Sequence, residues 1–503
     1  MALRYDPGHL ARLQRELEVL RDAAKQLERS HHSDLSLIPD AYRDSARNLI
    51  HYTAIRQHDI RALQRDLHAL GLSSLGRMEA YVLASLDAVL AALRRMQDED
   101  VEVADVPVSF VQGRVLLRAH TDTILGPTPA RRTVRIMVTM GAEAAEGPEL
   151  LQELLLGGMN VMRINCSKDE PEVWKAQVAN LRRAERHTGL RAQVMFDLSG
   201  PNPRSGRLTE SDDHKPVKIR LAPGDRLEVW AEPITGTPPR FAEDGSVLEP
   251  ARISCSLPEI LQDLNPGDRF YLDDGAAAGR VVHVLPDRAV IEITDTLGGP
   301  VKLKAAKGMN FPDSDLRLPS LTEKDRRDLE AIVREADLIS LSFVRRPSDV
   351  DELVEVLDQL EANVGLILKI ETVKGFDRLP RLLLHALRRP PVGIMVARGD
   401  MGVELGFDRL AEAQEEVLWL CEAAHVPTIW ATQVLESLTK TGHPSRAEVT
   451  DAAMAGRAEC VMLNRGEYIG SAVRFLSNIL ERMEAHQFKK LALMRKLSIS
   501  THI

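Results

Sequence analysis

The chain has 503 residues, enough for roughly three domains. Lys plus Arg number 65 against 74 Asp plus Glu, a formal charge of −9, so composition offers no electrostatic reason to bind nucleic acid or an anionic membrane. With 44% apolar and 28% charged residues the chain is globular rather than disordered or fibrous, and 4% aromatics leave little for base stacking. No apolar run approaches the ~18 residues of a membrane span. The opening MALRYDPGHLARLQRELEVL lacks the apolar core of a secretory signal. Cys166, Cys255, Cys421 and Cys460 are scattered without CxxC spacing. That argues against a disulfide framework or structural zinc and predicts a reducing, cytoplasmic setting.

Residues 1–100 read as a helical domain. Asp6-Pro7 reads as a cap followed by a first-turn proline, and Leu10, Leu13, Leu17, Leu20, Ala24 and Leu27 form one helical stripe. A second helix runs to about Leu70 and stops at Gly71; a third carries Val82, Leu86, Val89, Leu90 and Leu93. Each stripe must bury against something, which predicts a small bundle or a docking arm. A stripe such as Leu10–Leu27 also suits a homo-oligomer, since most soluble homo-oligomers are symmetric. Residues 101–132 are mixed and proline-punctuated and read as a linker.

The texture then changes. Short β-branched runs alternate with amphipathic stretches, the sign of a parallel sheet with helical crossovers. Strands are predicted at Val134–Val138, Asn160–Ile164, Gln193–Phe196, Leu338–Ser342, Leu366–Ile370, Gly393–Ala397, Pro427–Trp430 and Cys460–Leu463. Most neighbours start roughly 26 to 35 residues apart, one βα unit; the third and fourth are separated by roughly 145. The expectation is an α/β fold, a (β/α)8 TIM barrel over 133–205 and 307–485, interrupted after its third strand. The insertion, 206–306, carries Pro223-Gly224-Asp225 and Pro266-Gly267-Asp268 turns and alternating segments such as RLEVWAE. It reads as a small all-β domain tethered at both ends to the barrel mouth, a position that suits a lid. After the eighth strand there is chain for a closing helix and a basic tail, 486–503.

Barrel chemistry collects at the C-terminal ends of the strands. Arg163, Asn165 and Ser167 follow the second strand and Asp197 the third; Lys369 and Glu371 stand at the fifth, Arg398 and Asp400 after the sixth. Thr432-Gln433 follow the seventh and Asn464-Arg465-Gly466 the eighth. Glu371 and Asp400 end adjacent strands, where two carboxylates can share a hard cation such as Mg²⁺ with substrate oxygens. Lys369, two residues before Glu371, points to the same side and suits an anionic substrate whose charge shifts during reaction. The plainer alternative is a salt bridge within the barrel top. Arg163 offers a planar fork for phosphate or carboxylate, or else an ion pair with Asp197. Gly399 and Gly402 could bring backbone N–H groups close to an anion, or simply make turns.

These residues lie in segments that resemble pyruvate kinase: GGMNVMRINCS, FDLSGPNPRSG, FYLDDG, KGMNFPDSDLRLPSLTEKDRRDLE, LSFVRRPSDV, LKIETVKGF, IMVARGDMGVEL and IWATQVLESLTKTGHPSRAEVTDAAMAG. They span about Thr133 to Tyr468 in family order. The resemblance implies a barrel with a β lid and metal-dependent phosphoryl transfer from phosphoenolpyruvate to ADP, giving pyruvate and ATP, the last step of glycolysis. It implies Mg²⁺ or Mn²⁺ on Glu371 and Asp400, with Lys369 neutralising the phosphoryl group in flight. Arg163 and Arg204 match arginines near the transferring phosphate and nucleotide, and Lys307 a lysine at the return from the lid. Asn165, Ser167 and Asp197 match side chains that hold K⁺; Thr432 matches a threonine near the substrate. Gly399 and Asp400 fall in the ARGDMG segment beside the nucleotide.

The sequence also departs from that family. Lys168 and Cys166 stand where histidine and phenylalanine are common, and Ser199 where lysine is common. Asn202-Pro203 replaces the usual Glu-Ile, whose glutamate is linked to K⁺ dependence. LNRGEYIG differs from the commoner SGETAKG. The terminal domain that binds sugar phosphates in many members has no counterpart, so activation by fructose bisphosphate is not expected. Two alternatives stand beside the kinase: a non-catalytic metabolite-binding relative, and a metal-dependent lyase acting through pyruvate enolate.

Overall fold

A computed structural model describes residues 6–99, 101, 105–209, 217 and 219–493. The barrel strands are β1 (Arg135–Thr139), β2 (Val161–Asn165), β3 (Gln193–Asp197), β4 (Leu338–Leu341), β5 (Gly365–Ile370), β6 (Val392–Ala397), β7 (Thr428–Ala431) and β8 (Cys460–Leu463). They close into one barrel, each parallel to its sequence neighbours, with β1 beside β8. Every predicted strand lies within two residues of an observed one. Both faces of these strands are buried, so they are near-continuous aliphatic runs that stand out from the helices between them.

Residues 6–99 form helices that pack against the barrel. Pro7–Ser30 starts at Asp6, whose Oδ1 accepts the Gly8 N–H at 3.0 Å, and buries Leu10, Leu13, Leu17, Leu20 and Ala24. After a short helix, His32–Ser36, two helices rather than one run to Gly71: Asp40–Ile55 and Arg61–Ala69. The chain turns between them because Asp59 takes the Arg61 backbone N–H. Val82–Arg95 completes the bundle.

The stretch read as a linker contains a helix, Phe110–Leu125. Ser109 and Gln112 form its capping box. Ile124 and Leu125 at its end enter the barrel floor among Met137, Met195, Ile367 and Met462.

The insertion after β3 is a six-stranded sheet around Phe270, Ile291 and Ile253, with smaller ribbons beside it. Its Pro-Gly-Asp turns follow one recipe: Asp225 and Asp268 each accept a backbone N–H three residues back, and Gly224 and Gly267 take positive φ. Of the tail, a short hairpin, Gln487–Phe488 with Leu491–Ala492, is described; residues 494–503 lie outside the described residues.

Candidate active site

The strand ends converge on Lys369. Its Nζ lies 3.0 Å from Glu371 Oε1 and 3.3 Å from Asp197 Oδ1, and donates to Ser342 Oγ at 2.8 Å. The lysine side chain is 11% exposed, so these partners hold it in a protein environment. Arg163 forms the ion pair with Asp197, donating from Nε at 2.9 Å and also from Nη2, while Nη1 donates to Thr139 Oγ1 at 2.8 Å. Glu371 is buried and accepts the Phe343 N–H at 2.7 Å. β3, β4 and β5 are neighbours, which is why residues more than a hundred positions apart meet here.

Burial would push Asp197 up and Lys369 down. Attraction reverses both: Lys369 and Arg163 hold Asp197 below the ordinary carboxylate value, and Asp197 and Glu371 hold Lys369 above the ordinary ammonium value. Asp400, on the helix Arg398–Leu405 that follows β6, behaves differently. Desolvation first, then repulsion from Glu371, push it up to about 7. Asp274, at the tip of the lid turn, adds to that repulsion. Asp197, Glu371 and Asp400 together outnumber Arg163 and Lys369, so a cation near Glu371 and Asp400 relieves a real excess of negative charge. Among the described residues no three His, Cys, Asp or Glu side chains gather to hold a metal. The pair Glu371 and Asp400 is of the kind that Mg²⁺ takes, one or two carboxylates with the other positions left to water and substrate oxygens.

Thr432, after β7, has φ +66°, followed by Gln433 at +56° and Leu435 at +49°. A β-branched residue in the left-handed region is strained by about 1–3 kcal/mol. Buried Val434 and Leu435 anchor the loop from below. Arg398 anchors it from the side: its guanidinium grips Asp451 at 2.6 and 2.9 Å and donates to the carbonyls of Ala431 and Thr432. Gly399 donates its N–H to Thr432 Oγ1 at 2.9 Å, so that group serves the loop rather than a free anion. Gly402 packs closely, since a Cβ there would lie 3.0 Å from the Phe407 ring.

The remaining residues lie around this centre. Asn165 pairs in register with Asp197, and its Oδ1 accepts from the Ser167 N–H at 3.0 Å and Oγ–H at 2.8 Å. Two cations already meet Asp197, and Asn165 is engaged by Ser167. Arg204 and Lys307 sit where the inserted β domain joins the barrel, and among the described residues neither hydrogen-bonds nor ion-pairs with the Lys369 cluster. Arg204 donates to the Ala306 carbonyl at 3.0 Å, and Lys307 pairs with Asp273 of the lid at 2.7 Å. Sequence reasoning missed Ser342, the Phe343 N–H, Asp274 and the Arg398–Asp451 clamp. FYLDDG was the available signal for Asp274; the others are ordinary residues given roles by the barrel.

A closed (β/α)8 barrel with its ionisable cluster at the C-terminal strand ends defines a TIM-barrel protein whose polar mouth lies at the end where such barrels carry their sites. A family model described as "Pyruvate kinase, barrel domain" matches residues 130–472. A pyruvate kinase of Bacillus licheniformis is 33% identical over 381 residues, covering 74% of this chain and 61% of the relative. One of Staphylococcus aureus (strain USA300) is 32% identical over 380 residues, covering 74% and 60%. The chain belongs to the pyruvate kinase family, and it spans about three fifths of the length of these curated relatives.

Proposed function

We propose that this protein transfers the phosphoryl group of phosphoenolpyruvate to ADP, giving pyruvate and ATP, with Mg²⁺ or Mn²⁺ held by Glu371 and Asp400. The observation that carries the reading is Lys369 held between Asp197 and Glu371, beside an Asp400 whose ionisation Glu371 opposes. Phosphoryl transfer asks a protein mainly for positioning and charge neutralisation. Lys369, kept protonated by its two carboxylates, supplies a fixed positive charge to a phosphoryl group passing the mouth. Arg163, fixed by Asp197 and Thr139, adds a second cation on the neighbouring strand. Thr432 sits where a rigid, strained loop presents it beside Gly399, suited to positioning the enolate. When bound, the divalent ion would screen substrate oxygens and the Glu371–Asp400 pair at once. Arg204, Lys307 and Asp274 lie on the lid side, where closure can bring them toward a nucleotide.

The test is pyruvate formation from phosphoenolpyruvate and ADP, with and without Mg²⁺. Wild type is expected to turn over only with the divalent ion, and Lys369→Met to lose about a thousandfold or more in kcat. A folded wild type that binds phosphoenolpyruvate without turnover would support the non-catalytic alternative. Metal-dependent cleavage of a 4-hydroxy-2-oxo acid would support the lyase.

A further inference from the structure

At the end of the barrel opposite Lys369, a cavity of about 270 Å³ opens beneath β1 and β8. Helix Phe110–Leu125, the last barrel helix Ile469–Glu484 and the terminal hairpin enclose it. Leu117, Val134, Leu480, Met483 and the Phe488 ring give it apolar walls. An apolar cavity of about 150 Å³ already accepts a benzene ring.

The charges around it are uneven. Both carboxylates that line it are engaged: Glu459 by Lys489 and by the N–H and hydroxyl of Thr428, and Glu484 by the Thr133 N–H. Arg135 and Arg457 are ion-paired, with Asp122 and Glu415, although Arg457 Nε is buried without a partner among the described residues. Arg114 and Arg118, one turn apart on the same helix, remain. Among the described residues Arg114 forms no ion pair, and its guanidinium lies 5.7 Å from the Phe488 ring centre. Among the described residues Arg118 ion-pairs only with Asp122, at 3.9 Å, and that carboxylate is already held by Arg135 and Thr128. An apolar chamber thus opens beside two guanidinium groups with spare hydrogen-bonding capacity.

We infer that this cavity is a second ligand site, distinct from the barrel mouth, for a small molecule with one compact apolar body and one anionic group. The body fills the space between Leu117, Met483 and Phe488, and the phosphate or carboxylate faces Arg114 and Arg118. The assignment is independent of the phosphotransferase reading.

Calorimetric titration of the full chain tests it with phenyl phosphate and phenylacetate as probes, and inorganic phosphate and benzyl alcohol as their separated halves. At least one aryl anion is expected to bind, and the tighter one identifies the preferred anionic group. That binding should survive Lys369→Met, which alters the mouth. It should weaken by about tenfold or more in the exposed double variant Arg114→Gln/Arg118→Gln. Met483→Trp, which fills the chamber, should weaken it similarly; the double variant decides the matter if Met483→Trp lowers thermal stability. The assignment is overturned if neither aryl anion binds, if inorganic phosphate alone binds as tightly, or if binding disappears in Lys369→Met while the double variant keeps it.

Discussion

Asp197 meets Arg163 on one side and Lys369 on the other. A carboxylate already opposed by two cations has little charge to offer a monovalent ion. Activity is therefore expected to be the same, within about twofold, in potassium and in tetramethylammonium salts of equal ionic strength. A large gain specific to K⁺ would show that the ion pairs open in the working protein. Thr432 supports a second prediction. Its strain is maintained by buried neighbours and by Arg398, so its hydroxyl position, rather than loop stability, should be what matters. Thr432→Ala is expected to lower kcat by about ten- to a hundredfold with a smaller change in KM for phosphoenolpyruvate. Thr432→Ser should keep most of the rate; equal losses in both variants would mean the loop has collapsed.

Helix Phe110–Leu125 shows what an element can hide. Its outward face mixes exposed apolar residues, Phe110, Val111 and Val115, with Gln112, Arg114 and Arg118, so no clean division into polar and apolar faces marks it. Its structural contribution comes from its last turn, where Ile124 and Leu125 close the barrel floor. Gly365 makes room for it, since a Cβ there would lie 3.1 Å from Ile124 Cγ1 and 2.7 Å from Leu338 Cδ2; a Cβ on Gly393 would crowd Ile367 Cδ1 at 2.8 Å instead. Ile124→Ala should cost about 2–4 kcal/mol, read from the urea midpoint, while kcat in the absence of urea stays near wild type. The barrel strands were legible because burial on both faces makes them continuous aliphatic runs. The lid turns were legible because Pro-Gly-Asp has one dominant geometry.

At the scale of the whole molecule, the helical domain is joined to the barrel by buried polar contacts. Asn48 donates to the carbonyls of Glu79 and Ala423, and the His425 ring bonds Ser45 Oγ and the Ala80 carbonyl. Complete burial pushes His425 down to about 4, and His120, stacked on Tyr42, is lowered too. Above pH 6.5 the His425 ring is neutral folded or unfolded, and the contact contributes fully. As pH falls below 6.5 the unfolded chain takes up a proton that the native ring refuses until about 4, so stability is lost across that window. The loss from His425 approaches about 3 kcal/mol by pH 4. Urea unfolding at pH 7.5, 5.5 and 4.5 should show it as the difference in slope between wild type and His425→Gln, a comparison that cancels the opposite contribution of the raised carboxylates Asp400, Glu404 and Glu422. An unchanged slope in that variant would place the acid sensitivity elsewhere.

Periodicity and turn chemistry are local, so the order of strands, the barrel and the inserted β domain could be read directly from residue types. The positions of Lys369, Glu371, Asp400 and Thr432 at strand ends followed from the same pattern. The tertiary structure alone decided which charges neutralise one another, because Asp197 meets Lys369 only through strand pairing across a long insertion. It alone seated the helical domain on His425 and set the chamber beside Arg114, since both arise where segments far apart in the chain are brought within contact distance.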